Sequence, residues 1–301
     1  MTNLFLGLAK GARRLRPAST RFSALRYEAL VEEKVKVGPP DEHGNRRSIA
    51  PDLLLYSQQA ENSLVLEYTR DSNPRRKNDQ FNRYGMLNGS DLTNGRPYVP
   101  KKAAHSHDVT VVIPRRSLRS YEAYAKSEGH NFALLGCSPV RSSVSLSKAG
   151  SPFSVKEVDK IFSETTSLPE IPTGYFSFCQ EEPDAKDLAR KIGAHLIALL
   201  QEGVESVSID EFCPACYALE WPIMGQELKQ RVRKQTRVFL TAVQKTEIAK
   251  MHLLYRINAG SNSPAMWSIR NISEEPFNVQ QSVWAHLFAM AKRPPQLELF
   301  D

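Results

Sequence analysis

The sequence lacks the features that mark membrane and disulfide-built proteins. No apolar run approaches the roughly 18 residues that a spanning helix needs. Cysteine is sparse: Cys137, Cys179, Cys213 and Cys216 are the only four in 301 residues, and no secretory signal precedes them. Such usage predicts reduced thiols. Cys213-Pro-Ala-Cys216 has the spacing of half a zinc site, but the second pair of ligands is missing; Cys179, His195 and His252 are scattered singly. The βαβ setting of a redox pair is missing too, so these cysteines are expected as buried or idle thiols. Acids are absent from the first 27 residues, which carry Lys10, Arg13, Arg14, Arg16, Arg21 and Arg26. That composition also describes a transit peptide, but it is read here as a basic arm leading into a helix.

What remains is ordinary globular composition, 41% hydrophobic and 24% charged, in a chain long enough for two cores. The net charge of +7 suits a polyanionic partner, because Lys and Arg that neutralise phosphates release counterions.

The informative stretch is Pro51 to Tyr84. Asp52 opens the apolar run PDLLLY, Glu67 sits near the end of SLVLEYT, and Gln58 to Asn62 can turn the chain between them. A hairpin would bring the carboxylates together. Two hard oxygen ligands at neighbouring strand ends suit Mg²⁺ or Mn²⁺. Pro-Asp, a hairpin-length gap and apolar-apolar-Glu resemble the PD-(D/E)XK nuclease superfamily, and Gln80-x-x-x-Tyr84 resembles a helix found in several of its branches. The resemblance covers roughly residues 19 to 138.

It implies an α/β fold with an αβββαβ nuclease core, metal held by Asp52 and Glu67, and Gln80 and Tyr84 ordering the site. The family lysine belongs two residues after the glutamate, where this chain has Thr69. Either catalysis is lost or another cation serves, and Lys77 is the expected substitute, with Arg70, Arg75 and Arg76 close in sequence. In several branches the first core helix adds an acid; here that helix is expected from Ser19 through Val31, with Glu28 or Glu32 as the acid and Glu28 preferred. Arg75, Arg76 and Arg83 are expected on nucleic acid.

Further along, Leu87 to His107 reads as a long polar loop on which His105 and His107 are solvated. Strands are expected at Asp108–Pro114 and Asn131–Cys137 around a helix at Leu118–Ser127. The nuclease-like domain is thus placed at 1–145, followed by a Ser/Pro/Thr-rich linker at 146–173.

A second, mainly helical domain is expected at 174–275. A helix after Pro183, a short strand near Val207, a cationic helix within Gln226–Lys250 and a hairpin around Asn258–Pro264 resemble a winged helix-turn-helix domain. That resemblance implies DNA contact through Arg231, Arg233, Lys234 and Arg237.

Residues 276–301 are expected as a helix and a tail. Gln296-Leu297-x-Leu299-Phe300 is similar to the peptide by which bacterial proteins dock on the replication sliding clamp, which implies a bacterial, cytoplasmic, nucleoid-associated protein. Nuclease followed by winged helix also resembles the endonuclease subunit of heteromeric transposases, which implies a transposase or ATPase partner subunit; repair and defence nucleases stay open. The competing expectation is a catalytically inactive DNA-binding or adaptor protein on a decayed nuclease fold.

Overall fold

A computed structural model describes residues 1–11, 15, 18–93, 105–140, 143–163, 166–169, 191–196, 198–199, 202–244, 254–257 and 266–269. The chain is mixed α/β and divides into two compact units, 1–173 with 223–227 and 174–222 with 228–301. Among the described residues no helix is long and apolar enough to cross a membrane.

The first unit runs α1 (Thr2–Ala9), α2 (Ala18–Ser23), β1 (Glu28–Val31), β2 (Val35–Val37), β3 (Arg47–Ile49), β4 (Leu53–Ser57), β5 (Asn62–Tyr68), α3 (Asn78–Gly85) and α4 (Gly89–Thr93). It continues with β6 (Ser106–Pro114), α5 (Leu118–Glu128), β7 (Phe132–Val140), β8 (Ser143–Gly150), α6 (Lys156–Ser163) and β9 (Thr166–Pro169). Seven strands form one sheet in the order β1-β4-β5-β6-β7-β8-β9, and β2 and β3 pair separately. The first three strands are antiparallel, β5, β6 and β7 are parallel, and β8 and β9 return antiparallel.

Composition explains why β5 and β6 sit in the middle. Each carries an apolar centre, Leu64–Leu66 and Val109–Ile113 interrupted only by Thr110, and is buried almost throughout, as a strand covered on both faces must be. Alternation then assigns the faces. Leu54, Val65, Val109, Val111 and Ile113 pack with Phe81 and Tyr84 of α3 and Tyr121 and Tyr124 of α5. On the other side Phe5 and Phe22 meet Phe162 at centroid distances of 5.8 and 6.2 Å, tying α1, α2 and α6 together. Each such buried side chain contributes about 1.5–3 kcal/mol.

Three expectations change. The helix anticipated from Ser19 through Val31 ends at Ser23, and Glu28–Val31 is instead β1, paired with β4. Arg26 takes the left-handed conformation (φ 51°), and Tyr27 donates to Asn62 Oδ1 at 2.7 Å, so tertiary anchoring overrides local helical spacing. The stretch read as a linker, 146–173, supplies most of β8 and all of α6 and β9 to the first unit. The loop read at Leu87–His107 contains α4 and the start of β6; residues 94–104 lie outside the described residues.

In the second unit, residues 191–196 and 198–199 are helical, followed by β10 (Ser206–Ser208), α7 (Ile209–Cys216), α8 (Gln226–Gln244, whose first two residues belong to the first unit), β11 (Leu254–Ile257) and β12 (Met266–Ile269). The strands form an antiparallel sheet in the order β10-β12-β11. A capping box starts α7: Ser208 Oγ accepts from the Glu211 N–H at 3.1 Å, and the Glu211 carboxylate accepts from the Ser208 N–H at 2.9 Å. Leu228, Val232 and Phe239 form a buried stripe on α8, as helical spacing requires.

Candidate functional site

The β4–β5 hairpin pairs Leu53 with Leu66, so the next step outward sets Asp52 against Glu67. Asp52 Oδ2 accepts from the Tyr68 N–H at 2.6 Å. Glu67 Oε2 accepts from Tyr84 OH at 2.7 Å, and Lys77 Nζ stands 3.9 Å from Oε1. Lys77 also donates to Gln80 Oε1 at 3.0 Å, and the Gln80 side chain hydrogen-bonds Glu67.

Local sequence explains why these groups meet. Asn73 accepts from the Arg75 N–H at 3.1 Å and starts a 3-10 turn, Pro74–Lys77, that leads directly into α3. Positions 77, 80 and 84 then follow the i, i+3, i+7 spacing of one helical face. Phe81, one residue after Gln80, is buried in the core and fixes that face toward the sheet.

The acid pair is electrostatically strained. Burial, then the neighbouring Asp52 charge, push the Glu67 carboxyl up to about 7, against the hydrogen bonds from Tyr84 and Gln80 and the charge of Lys77. Burial raises Asp52 as well; the Tyr68 N–H and Lys77 oppose the rise, and the Glu32 charge adds to it. Tyr84 is held well above its ordinary value by burial and by Glu67, so it remains a donor. A cavity of about 10 Å³, the size of one water, lies at this strand end, lined by Asp52 and Glu67 with Thr2, Phe5, Leu66 and Tyr68 among its walls. Among the described residues no group of three or more His, Cys, Asp or Glu side chains is arranged to hold a metal ion.

Thr69 is buried at 5% exposure, and its Oγ1 accepts from the Asp71 N–H at 3.1 Å. The Tyr121 hydroxyl is hydrogen-bonded to Thr69 as well, so neighbouring groups already engage its hydroxyl.

Cations surround this edge. Arg70, Arg75, Arg76, Arg115, Arg116 and Arg119 are exposed. Tyr121 OH donates to Asp71 O at 3.0 Å and Ser120 Oγ to Ser72 O at 3.5 Å, which brings the start of α5 beside the segment after β5. Arg83 is turned onto backbone, donating to Asp79 O and Ser48 O at 3.2 Å each. Arg76 lies 3.7 Å from Asp71 Oδ2 while remaining largely exposed.

On α8 the cations divide. Arg233 pairs with Asp210 at 2.7 Å and lies over the Trp221 ring at 4.9 Å, with Lys229 also over that ring at 5.7 Å. Arg231 is half-buried. Lys234 and Arg237 face solvent, and with exposed Gln230 they form a stripe at i, i+4, i+7.

Asp52, Glu67, Lys77, Gln80 and Tyr84 thus come together. Glu28 does not join them: it pairs across from Tyr56, whose hydroxyl donates to it at 2.6 Å, at the opposite end of β4. That is roughly 13 Å from Asp52 at the usual strand rise. Glu28 lines a separate polar depression of about 640 Å³ with Arg26, Gln58 and Gln59. The acid beside Asp52 is Glu32, whose N–H donates to Asp52 O at 3.4 Å; recognising β1 as a strand would have found it, since Val31 pairs with Leu53.

His105 is also corrected. It is buried, its Nε2 lies 2.7 Å from Ser63 Oγ, and burial lowers its pKa. His107 is half-buried. Cys213 and Cys216 are buried, and burial pushes their thiols up to about 11 and about 12, so both stay protonated. The tail with Gln296, Leu297, Leu299 and Phe300 lies outside the described residues.

In comparisons with known proteins, no family model matches the chain, and no curated protein or solved structure matches it.

Proposed function

We propose that this protein is a metal-dependent DNA endonuclease of PD-(D/E)XK type. The observation that carries the reading is the meeting of Asp52 and Glu67 across the hairpin with Lys77 Nζ 3.9 Å from the glutamate. The strand order supports it: with the separate β2–β3 pair and α4 set aside, α2, the antiparallel strands β1, β4 and β5, α3 and the parallel strand β6 follow the αβββαβ order.

The donor set fits Mg²⁺ or Mn²⁺. Two carboxylates share a site whose burial, more than any neighbouring charge, raises both pKa values, and a bound cation would favour their ionised forms. Mg²⁺ needs only one or two carboxylates and completes its shell with water and phosphate oxygens. When bound, such an ion polarises the phosphodiester and lowers the pKa of its water. Asp52 and Glu67 would hold it. Tyr84 and Gln80 fix the Glu67 carboxylate, and Lys77 offsets negative charge developing on the phosphate. The arginine rim would take the DNA backbone.

The second unit supports a winged-helix reading, because helix, strand, two helices and hairpin follow in that order. Lys234 and Arg237 are then the outward cations of its last helix. Docking of the Gln296–Phe300 tail on a bacterial sliding clamp, and work beside a transposase or ATPase subunit in transposition, repair or defence, extend the proposal from the sequence.

The test is Mg²⁺- or Mn²⁺-dependent cleavage of plasmid and branched DNA by wild type and Asp52→Ala. Loss of roughly 10²-fold or more in the variant is expected; equal cleavage refutes the site. The adaptor reading is favoured by Thr69, and DNA binding without cleavage by either protein, with or without neighbouring gene products, would select it.

A further inference from the structure

The segment Ile223–Glu227 belongs to the same compact unit as the acid pair. Met224 forms a parallel bridge with Val31 and is buried, and the Gly225 N–H donates to Val31 O at 2.7 Å. Glu227 pairs with Lys34 at 2.7 Å. The approach at Gly225 is too close for a side chain: a Cβ there would stand 2.3 Å from the Glu32 carbonyl oxygen and 2.7 Å from its carbon. Glu32 itself takes φ 51°, a conformation that non-glycine residues adopt rarely, and its N–H donates to Asp52 O at 3.4 Å.

We propose that Ile223–Glu227 is a strap that positions Asp52, with Gly225 as its positioning residue. The strap extends the β1 edge by one bridge and holds Glu32 in its left-handed turn. That turn fixes the backbone of Asp52, and Asp52 in turn places its carboxylate on the Tyr68 N–H. Only glycine permits the backbone contact that closes the chain of bonds. The consequence for metal binding rests on the nuclease reading; the geometric claim does not.

The experiment is hydrogen exchange on the full-length protein with chelator present. In Gly225→Ala the amides of Glu32 and Tyr68 are expected to exchange about tenfold faster or more, while those of Val65 and Val111 at the sheet centre hold their rates. Lys34→Glu, a surface change, should shift the same two amides in the same direction, and the double change Lys34→Glu with Glu227→Lys should restore them. Restoration separates a strap from general loss of the fold. Mn²⁺ affinity, measured by electron paramagnetic resonance, should fall with the faster amides and recover with the charge swap. An unchanged Glu32 amide in both single variants overturns the strap, and a faster Glu32 with an unchanged Tyr68 overturns its positioning role. Wild type that takes up no Mn²⁺ overturns the nuclease reading instead, and the Tyr68 amide still decides the strap.

Discussion

Glu67 makes folding stability depend on pH in the direction opposite to most carboxylates. Its pKa is about 7 in the folded protein against 4.5 for an unperturbed glutamate, chiefly because it is buried and faces Asp52. The folded state therefore holds the proton more tightly than the unfolded state. Its contribution is fully present below about pH 4.5 and is lost as pH rises through 7. The gap corresponds to about 3 kcal/mol, a large share of a typical domain's stability. The assay is urea unfolding with chelator present at pH values from 5 to 8, comparing wild type with Glu67→Gln. Glutamine keeps the shape and can still accept from Tyr84 but does not titrate. Wild type is expected to lose most of that contribution relative to the variant over that range. Asp52→Asn should shrink the loss, because it removes the second cause of the shift. Parallel curves for wild type and Glu67→Gln would refute the picture of a desolvated acid pair.

The other predictions concern the cations. Lys77→Ala should lower metal-dependent cleavage by roughly 10²-fold, and adding Thr69→Lys to that variant should recover part of it, measured as initial rates on plasmid DNA. Lys234→Ala and Arg237→Ala should each reduce the salt slope of DNA binding by about one, whereas Arg233→Ala should act mainly on the stability of the second unit, since its guanidinium is engaged by Asp210 and Trp221. Removal of Gln296–Asp301 should abolish sliding-clamp binding while leaving cleavage of naked DNA unchanged, a comparison read by surface plasmon resonance and gel assay.

The acid pair was legible because an apolar run closed by an acid constrains itself: β5 is buried on both faces, and the hairpin register leaves little freedom in what opposes Glu67. The helical cluster was legible for the same kind of reason, since Gln80 and Tyr84 are one turn apart and Lys77 one turn earlier. The first acid was misplaced because Phe22, Leu25, Ala29 and Leu30 fit a helical spacing locally, and only pairing with β4 makes Glu28–Val31 a strand. β8 and β9 looked like a linker because strands at the sheet margin need few apolar residues; β8 buries only Ser145 and Leu146 among its described side chains. His105 looked solvated in a polar stretch, but its partner Ser63 lies on β5, far away in sequence. The contact of Gly225 with Glu32 leaves no local trace in the sequence at all.

The central claim is that Asp52 and Glu67 converge on one divalent cation. Anomalous diffraction from crystals soaked in Mn²⁺ near pH 8, where both acids are more fully ionised, tests it most directly. The account predicts a single strong peak within coordination distance, about 2.0–2.4 Å, of both carboxylates, lost in Asp52→Asn. No peak at the β4–β5 strand end, or one that persists in Asp52→Asn, would contradict it.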